Sequence, residues 1–247
     1  MLAISPVKNN NQPSFGIYFH TVKDNMHNVV YRGDTRLFRD DIDWNNLVDF
    51  IDNKYRNKKD AQIIMHACSD GEEVYSLLAV LIERLGAGAE KYFPIIAKDI
   101  DPWHISLAQK GVYGMASVER PDASYYTRGN FSKYFYEYNN GKYSVVEPKE
   151  FLKKKVQFST GDILEDIKVL PLKNKILFAR NFMPYLDKEE AYAYVKTLAQ
   201  NADDSTTLVI GGYDKEFDRD KLLENFGFNR TYTDCVYELK KSLKYLY

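Results

Sequence analysis

Three short stretches of this chain combine residue types that can do chemistry. Cys68-Ser-Asp-Gly-Glu-Glu73 is a turn of small residues running into a helix start, where backbone can approach a ligand closely. It has one glycine, Gly71, so the G-x-G-x-x-G pattern that cradles a diphosphate is absent, and Asp70, Glu72 and Glu73 would repel one. An acidic turn suits a ligand carrying positive charge, although both glutamates also suit the first turn of any helix, where acids complement the dipole. Asp99 closes a buried run, where one carboxylate can accept hydrogen bonds from both hydroxyls of a ribose. The competing role is a helix cap, and Asp101 before Pro102 already fills it. The third stretch, Phe178-Ala-Arg-Asn-Phe-Met-Pro-Tyr185, puts Arg180 and Asn181 where a strand gives way to a helix, with Tyr185 one turn later. No His/Asp or Cys/His pairing is spaced for nucleophilic catalysis, and the 4 histidines have no metal spacing. His66 reads as a satisfied core or sheet-end residue and Cys68 as a small apolar one.

The elements that must position these residues follow from the apolar pattern. Trp44, Leu47, Val48 and Ile51 recur at helical spacing and predict an amphipathic helix over Asp41–Tyr55. Gln62–Cys68 reads as a strand, and Glu72–Leu85 as a helix closed by Gly86 and Gly88. Phe93–Asp101 is a second buried strand, and Pro102–Gln109 opens a helix with proline in its first turn. Strands at Val156–Ser159, Lys175–Ala179 and Thr206–Ile210, with a helix over Lys188–Leu198, continue the alternation. Continuous apolar strands between helices indicate an α/β fold: a doubly wound, mostly parallel sheet covered on both faces. A short helix near Phe217–Asn225 and alternation over Thr231–Leu239 predict an antiparallel closing strand. Lys133–Val146, with Asn-Gly at 140–141 between aromatic and β-branched arms, predicts an inserted β-hairpin subdomain within residues 129–150.

Composition sets the outer limits. The 247 residues suit one large domain, here 31–247, after a loosely structured leader over 1–30. Two cysteines, Cys68 and Cys235, exclude a disulfide scaffold and zinc ribbons. The balance of 34 Lys+Arg against 35 Asp+Glu, net −1, argues against a general grip on nucleic acid. No apolar stretch approaches the roughly 20 residues of a membrane span, and Met1–Val7 is too short for a signal peptide's apolar region, so the chain reads as cytoplasmic and not inserted in a membrane. A monomer is expected.

Taken together, Thr35-Arg-Leu-Phe-Arg39, Ala67–Ser76, Lys98-Asp-Ile-Asp-Pro102 with Ala108, Gly111 and Tyr113, Asp162-Ile-Leu164 and Ala179–Tyr185 resemble the chemotaxis receptor methyltransferases, the CheR-type enzymes, in order and at near-family spacing from Arg32 to Glu238. The resemblance implies a Rossmann-like class I methyltransferase fold, S-adenosylmethionine as methyl donor with S-adenosylhomocysteine as product, and a glutamate carboxylate of a receptor protein as acceptor. By position, Thr35 and Arg39 would approach the methionine end and reaction centre, and Glu73 would help hold the donor. Asp99 would bind the ribose, Asp162 and Ile163 would flank the adenine, and Arg180 and Asn181 would line the pocket. Tyr185 matches the tyrosine beside the transferred methyl, so Arg39 and Tyr185 are the expected catalytic residues. The inserted hairpin corresponds to the family's receptor-touching β-subdomain, although its turn looks short for docking a tether.

The sequence also departs from the family. No counterpart of adequate length to the family's N-terminal helical domain is expected before Tyr31, Gly33 stands where an Asn often contacts the donor, and Asp70 replaces a common Thr. Pro184 biases Met183 away from helical geometry. A donor-binding module without turnover, or a methyltransferase for another acceptor, is the alternative reading.

Overall fold

The computed structural model describes residues 21–23, 29–31, 35–139, 141, 143–216 and 218–240. Gly33, Asn140 and most of the expected leader lie outside this set. Strands β1 (Thr21–Lys23) and β2 (Val29–Tyr31) pair antiparallel in a stretch expected to hold no element.

The first helix, α1 (Trp44–Tyr55), starts three residues later than its apolar spacing suggests. Asp43 is the reason: its carboxylate accepts hydrogen bonds from the N–H groups of Asn45 and Asn46 at 3.0 and 3.1 Å, capping the helix and leaving Asp41 in the preceding loop. The central units then run β3 (Gln62–His66), α2 (Glu72–Leu85), β4 (Ile95–Asp99), α3 (Pro102–Lys110). Asp101 caps α3 through Trp103 N at 2.8 Å, as expected.

An inserted unit follows: β5 (Tyr113–Gly114), α4 (Arg120–Tyr126), α5 (Phe131–Tyr134), β6 (Phe135–Asn139), β7 (Ser144–Pro148) and α6 (Glu150–Lys153). The predicted hairpin is present but is part of a three-stranded sheet of order β5-β7-β6. Asn139 pairs with Ser144, so the connection holds four residues, and Asn-Gly does not close a two-residue turn.

The chain returns through β8 (Val156–Thr160), α7 (Ile163–Val169), β9 (Lys175–Ala179), α8 (Lys188–Asn201) and β10 (Thr207–Val209). It ends with α9 (Gly212–Glu216), α10 (Arg219–Asn225), β11 (Phe228–Arg230) and β12 (Val236–Leu239). The main sheet has seven strands in the order β11-β12-β10-β9-β3-β4-β8, all running in one direction except β12, which is antiparallel to both of its neighbours, β10 and β11. The expected antiparallel closing strand is therefore β12, inserted between β10 and β11.

Side chains of successive β3 residues feed two different cores, which is why the strand reads as an unbroken apolar run. Ile63 and Met65 pack with Leu47, Val48, Leu77 and Leu81 of α1 and α2. Ile64 packs with Ile167, Val195 and Leu198 of α7 and α8 on the opposite face. Each such fully buried aliphatic side chain contributes about 1.5–3 kcal/mol. The strand order reverses at β3: β4 and β8 lie on one side and β9 and β10 on the other. The crevice beyond the carboxyl ends of β3, β4 and β9 is where such sheets bind ligands.

Candidate active site

Each of the three chemistry-bearing stretches ends in this crevice. The turn after β3 is bolted down from several directions. Ser69 N donates to Asp99 Oδ2 at 2.9 Å, Cys68 N to Lys98 O at 3.0 Å, and Tyr113 Oη to Asp70 O at 2.8 Å. Gly71 has φ +89°, and a Cβ there would lie 2.9 Å from the Ala108 Cβ of α3, so both backbone conformation and space demand glycine. Asp99 sits at the end of β4, 8% exposed; its second oxygen accepts from Asp101 N at 3.0 Å. Each carboxylate oxygen retains a lone pair, so the group is held rigidly and can still accept two ligand hydroxyls. Asp99 thus faces the Ser-Asp-Gly bend and not solvent.

The expected acidic rim is largely neutralised by the protein itself. Asp70 is buried and pairs with His104 Nδ1 of α3 at 2.5 Å. Burial opposes the charge on His104, but Asp70 outweighs it and raises the imidazole pKa. Glu72 is wholly buried. Glu73 forms an ion pair with Arg180; burial raises its pKa although the guanidinium favours its charge. The physical reason is general: a carboxylate taken out of water needs a partner, and three acids in one turn cannot all be left facing a ligand.

Arg180 directly follows β9 with its side chain 2% exposed and reaches a second acid, Asp41 Oδ1, at 2.6 Å. Burial works against its charge, yet Glu73 and Asp41 together raise its pKa. Burial would also raise Asp41, but Arg180 and Arg39 outweigh it and hold the carboxyl at about 2. Asn181 Nδ2 donates to Asp41 Oδ2 at 3.4 Å, and Arg39 Nε lies 3.7 Å from Oδ1. Asp41 is the hub that sequence reasoning placed inside a helix.

Arg39 approaches from the segment before α1, which also carries Thr35. Leu37 makes an isolated bridge with Val118, and Phe38 is buried at φ +59° against Tyr126, Phe131 and Phe135. Ser76 Oγ accepts from Phe38 N at 2.8 Å, and Trp44 Nε1 donates to Arg39 O at 3.1 Å. This aromatic plug fixes the direction of Arg39, which is half-buried, as is Thr35.

On the other side, Gly161 N donates to Asp99 O at 2.9 Å, which brings the β8 loop beside the aspartate. Asp162 caps α7 through Leu164 N at 2.8 Å, leaving one carboxylate oxygen uncommitted, and Ile163 begins the helix half-buried. Tyr185 is 40% exposed, its ring 6.2 Å from that of Tyr213. Met183–Tyr185 form a 3-10 turn, contrary to the bias expected before proline; in a first turn Pro184 has no N–H that the turn would use. Of the anticipated residues, Glu73, Arg180, Asn181 and Arg39 gather around Asp41, Asp99 lies beside the Ser69 turn and the loop that carries Asp162 and Ile163, and Tyr185 stands on the turn after β9 next to Tyr213; among the described residues no contact ties Thr35 to either group.

Behind this edge His66, at the end of β3, is buried with both ring nitrogens lacking a hydrogen bond, so it is not the satisfied residue expected. Burial pushes its pKa down to about 4, with Asp166, 3.6 Å away, acting in the opposite direction and Lys98 in the same one. The folded value lies below the unfolded value of about 6.5, so stability is full above pH 6.5 and is lost as pH falls through 4. Denaturant unfolding should show the wild type losing about 3 kcal/mol more than His66→Ala between pH 7 and pH 4. Equal losses would refute the neutral buried imidazole.

A reversing parallel sheet with a glycine-pinned turn after one strand and an aspartate ending the next defines an α/β nucleoside-binding domain of the class I methyltransferase type. The chain belongs to the CheR methyltransferase family: the family model described as CheR methyltransferase, SAM binding domain, matches residues 33–231. Chemotaxis protein methyltransferase 2 of Pseudomonas aeruginosa is 30% identical over 158 residues, covering 62% of this chain and 53% of that protein. Chemotaxis protein methyltransferase 2 of Vibrio cholerae is 25% identical over 189 residues (74% and 62%), and the chemotaxis protein methyltransferase of Escherichia coli 24% over 183 (70% and 60%). The chain thus spans 53–62% of the length of these relatives. Among the described residues no helix is long and apolar enough to cross a membrane, and no group of three His, Cys, Asp or Glu is placed to hold a metal.

Proposed function

We propose that this chain binds S-adenosylmethionine and transfers its methyl group to a glutamate side chain of an acceptor protein of the chemoreceptor kind. The observation that carries the reading is the Asp99 carboxylate, anchored by Ser69 N and Asp101 N at the sheet reversal with lone pairs left over. The residues present fit the donor. Asp99 suits the ribose, Asp162 and Ile163 the adenine, and Thr35, Arg39 and Glu73 the amino-acid end, with Arg180 and Asn181 as the wall between them. When bound, the donor supplies an electrophilic methyl on a sulfonium.

The chain's own work is alignment. A glutamate acceptor has a reference pKa of about 4.3 and is ionised at pH 7, so no general base is required. That matches a crevice whose histidines are both buried, His66 behind the edge and His104 held by Asp70. Arg39 and Tyr185 orient the acceptor carboxylate by charge-assisted and neutral hydrogen bonds, and closure around it excludes water. Tyr185 is exposed as such a role requires. The acceptor surface includes the inserted sheet, where β6 forms an edge and shows Tyr136 and Tyr138, 52% and 42% exposed.

Incubation with methyl-labelled donor and a chemoreceptor cytoplasmic domain is expected to give a base-labile ester on the receptor. A base-stable product overturns the acceptor assignment. Binding of S-adenosylhomocysteine without transfer to any carboxylate protein would make the chain a donor-binding module.

A further inference from the structure

Asp214, in α9, is fully buried and lies outside every motif that resembles the family's donor site. Its carboxylate gathers three backbone amides from two loops. Oδ2 accepts from Asn181 N at 2.6 Å and Gly211 N at 2.8 Å, and Oδ1 accepts from Met183 N at 3.2 Å. Two of these amides belong to the segment that carries Arg180 and Tyr185, and the third follows β10. The lock is reciprocal: Asn181 Oδ1 accepts from Tyr213 N at 3.0 Å, in the helix that bears Asp214.

Two local features accompany this lock. Asn181 adopts φ +57°, a left-handed backbone that asparagine tolerates better than most L residues, and its N–H in that conformation points to Asp214 Oδ2. Gly211 leaves room for the Asn181 carboxamide: a Cβ at position 211 would fall 1.8 Å from Asn181 Oδ1. A buried carboxylate with no cationic side chain among the described residues within hydrogen-bond reach persists here because three N–H donors satisfy it. Burial nonetheless pushes its pKa up to about 6, against the pull of the amides and the more distant Arg180 charge.

We propose that Asp214 is a positioning residue for the donor's amino-acid end: by clamping the Asn181 and Met183 amides to Gly211 it sets where the Arg180 guanidinium meets Glu73 and Asp41. The proposal rests on the donor-binding reading above and deepens it. It divides the crevice in two. The nucleoside half, at Asp99 and Asp162, is built on β4 and β8 and does not touch Asp214. The β9 half depends on it.

Two probes separate the halves without any acceptor. S-Adenosylhomocysteine spans both, whereas 5′-methylthioadenosine has the nucleoside and sulfur but no amino-acid end. In Asp214→Asn the side chain keeps its shape but turns an NH2 toward a backbone N–H, donor against donor. Calorimetry on the full chain is expected to show S-adenosylhomocysteine weakened at least about tenfold and 5′-methylthioadenosine by less than about twofold, the loss of one charge-assisted hydrogen-bond set confined to one half. Gly211→Ala, which pushes Asn181 from the other side, is expected to give the same split and keeps the test open if the first variant folds poorly. Equal weakening of both probes, or of neither, overturns the positioning role. Absence of S-adenosylhomocysteine binding in the wild type would instead overturn the donor reading itself.

Discussion

Asp99→Ala is expected to weaken S-adenosylhomocysteine binding by about 100-fold, the largest effect on affinity of any single change in the crevice. A ribose diol would donate two hydrogen bonds to one ionised carboxylate, and bonds to charged groups are worth about 1.5–3 kcal/mol each. Discounting the replacement of these bonds by water leaves roughly 3 kcal/mol, which is the stated factor. The variant also frees Ser69 N and Asp101 N, but Ser69 is only half-buried and Asp101 lies beside exposed Ile100, so water can take both donors. The melting temperature should therefore fall by only a few degrees. Asp99→Asn, which keeps one acceptor oxygen, should lie between wild type and alanine. An unchanged affinity in the alanine variant would mean that the sugar sits elsewhere.

The second large effect falls on stability. Arg180→Ala removes the cation shared by Glu73 and Asp41 and leaves two acids facing one another in a crevice where the arginine side chain was 2% exposed. Breaking a buried ion pair by deleting one partner costs about 3–5 kcal/mol, because the remaining charge is desolvated without compensation. Asp41, held at about 2 by Arg180 and Arg39, would rise toward the ordinary carboxylate range. The guanidinium also lies 5.7 Å from the centre of the Trp44 ring, and alanine abolishes this cation–π attraction as well. Denaturant unfolding at pH 7 measures the loss. Arg180→Lys should recover only part of it, since a point charge cannot fork to two carboxylates. A loss below about 1 kcal/mol would show that water already screens the cluster.

Much of this crevice was legible because the sheet is parallel and covered on both sides. The β3 and β4 runs are continuous, end at polar turns, and place Cys68–Gly71 and Asp99 at strand ends on periodicity alone. Asp101 announced itself as a cap, which released Asp99 for another role. Asp41 was hidden for a physical reason: Asp41-Ile-Asp43 puts two acids ahead of a helix, either could be the cap, and only tertiary structure shows that Asp43 caps while Asp41 answers a distant arginine. Turn acidity was legible in number but not in direction, since His104 and Arg180 consume it from other elements. Two-residue β5 is too short to carry a period, so the inserted sheet read as a lone hairpin. Asp214 follows two glycines and resembles any loop acid; its role depends on amides that carry no side-chain signature.

Arg180 is joined to Asp41 and Glu73 across 139 and 107 residues of chain. On the ribosome both acids emerge long before the cation that reconciles them. A nascent chain that has β3, β4 and β8 but has not yet delivered β9 therefore carries uncancelled negative charge at the mouth of a half-built pocket. The charge balance of the cleft is therefore completed only when β9 joins the sheet and brings Arg180 between the two acids.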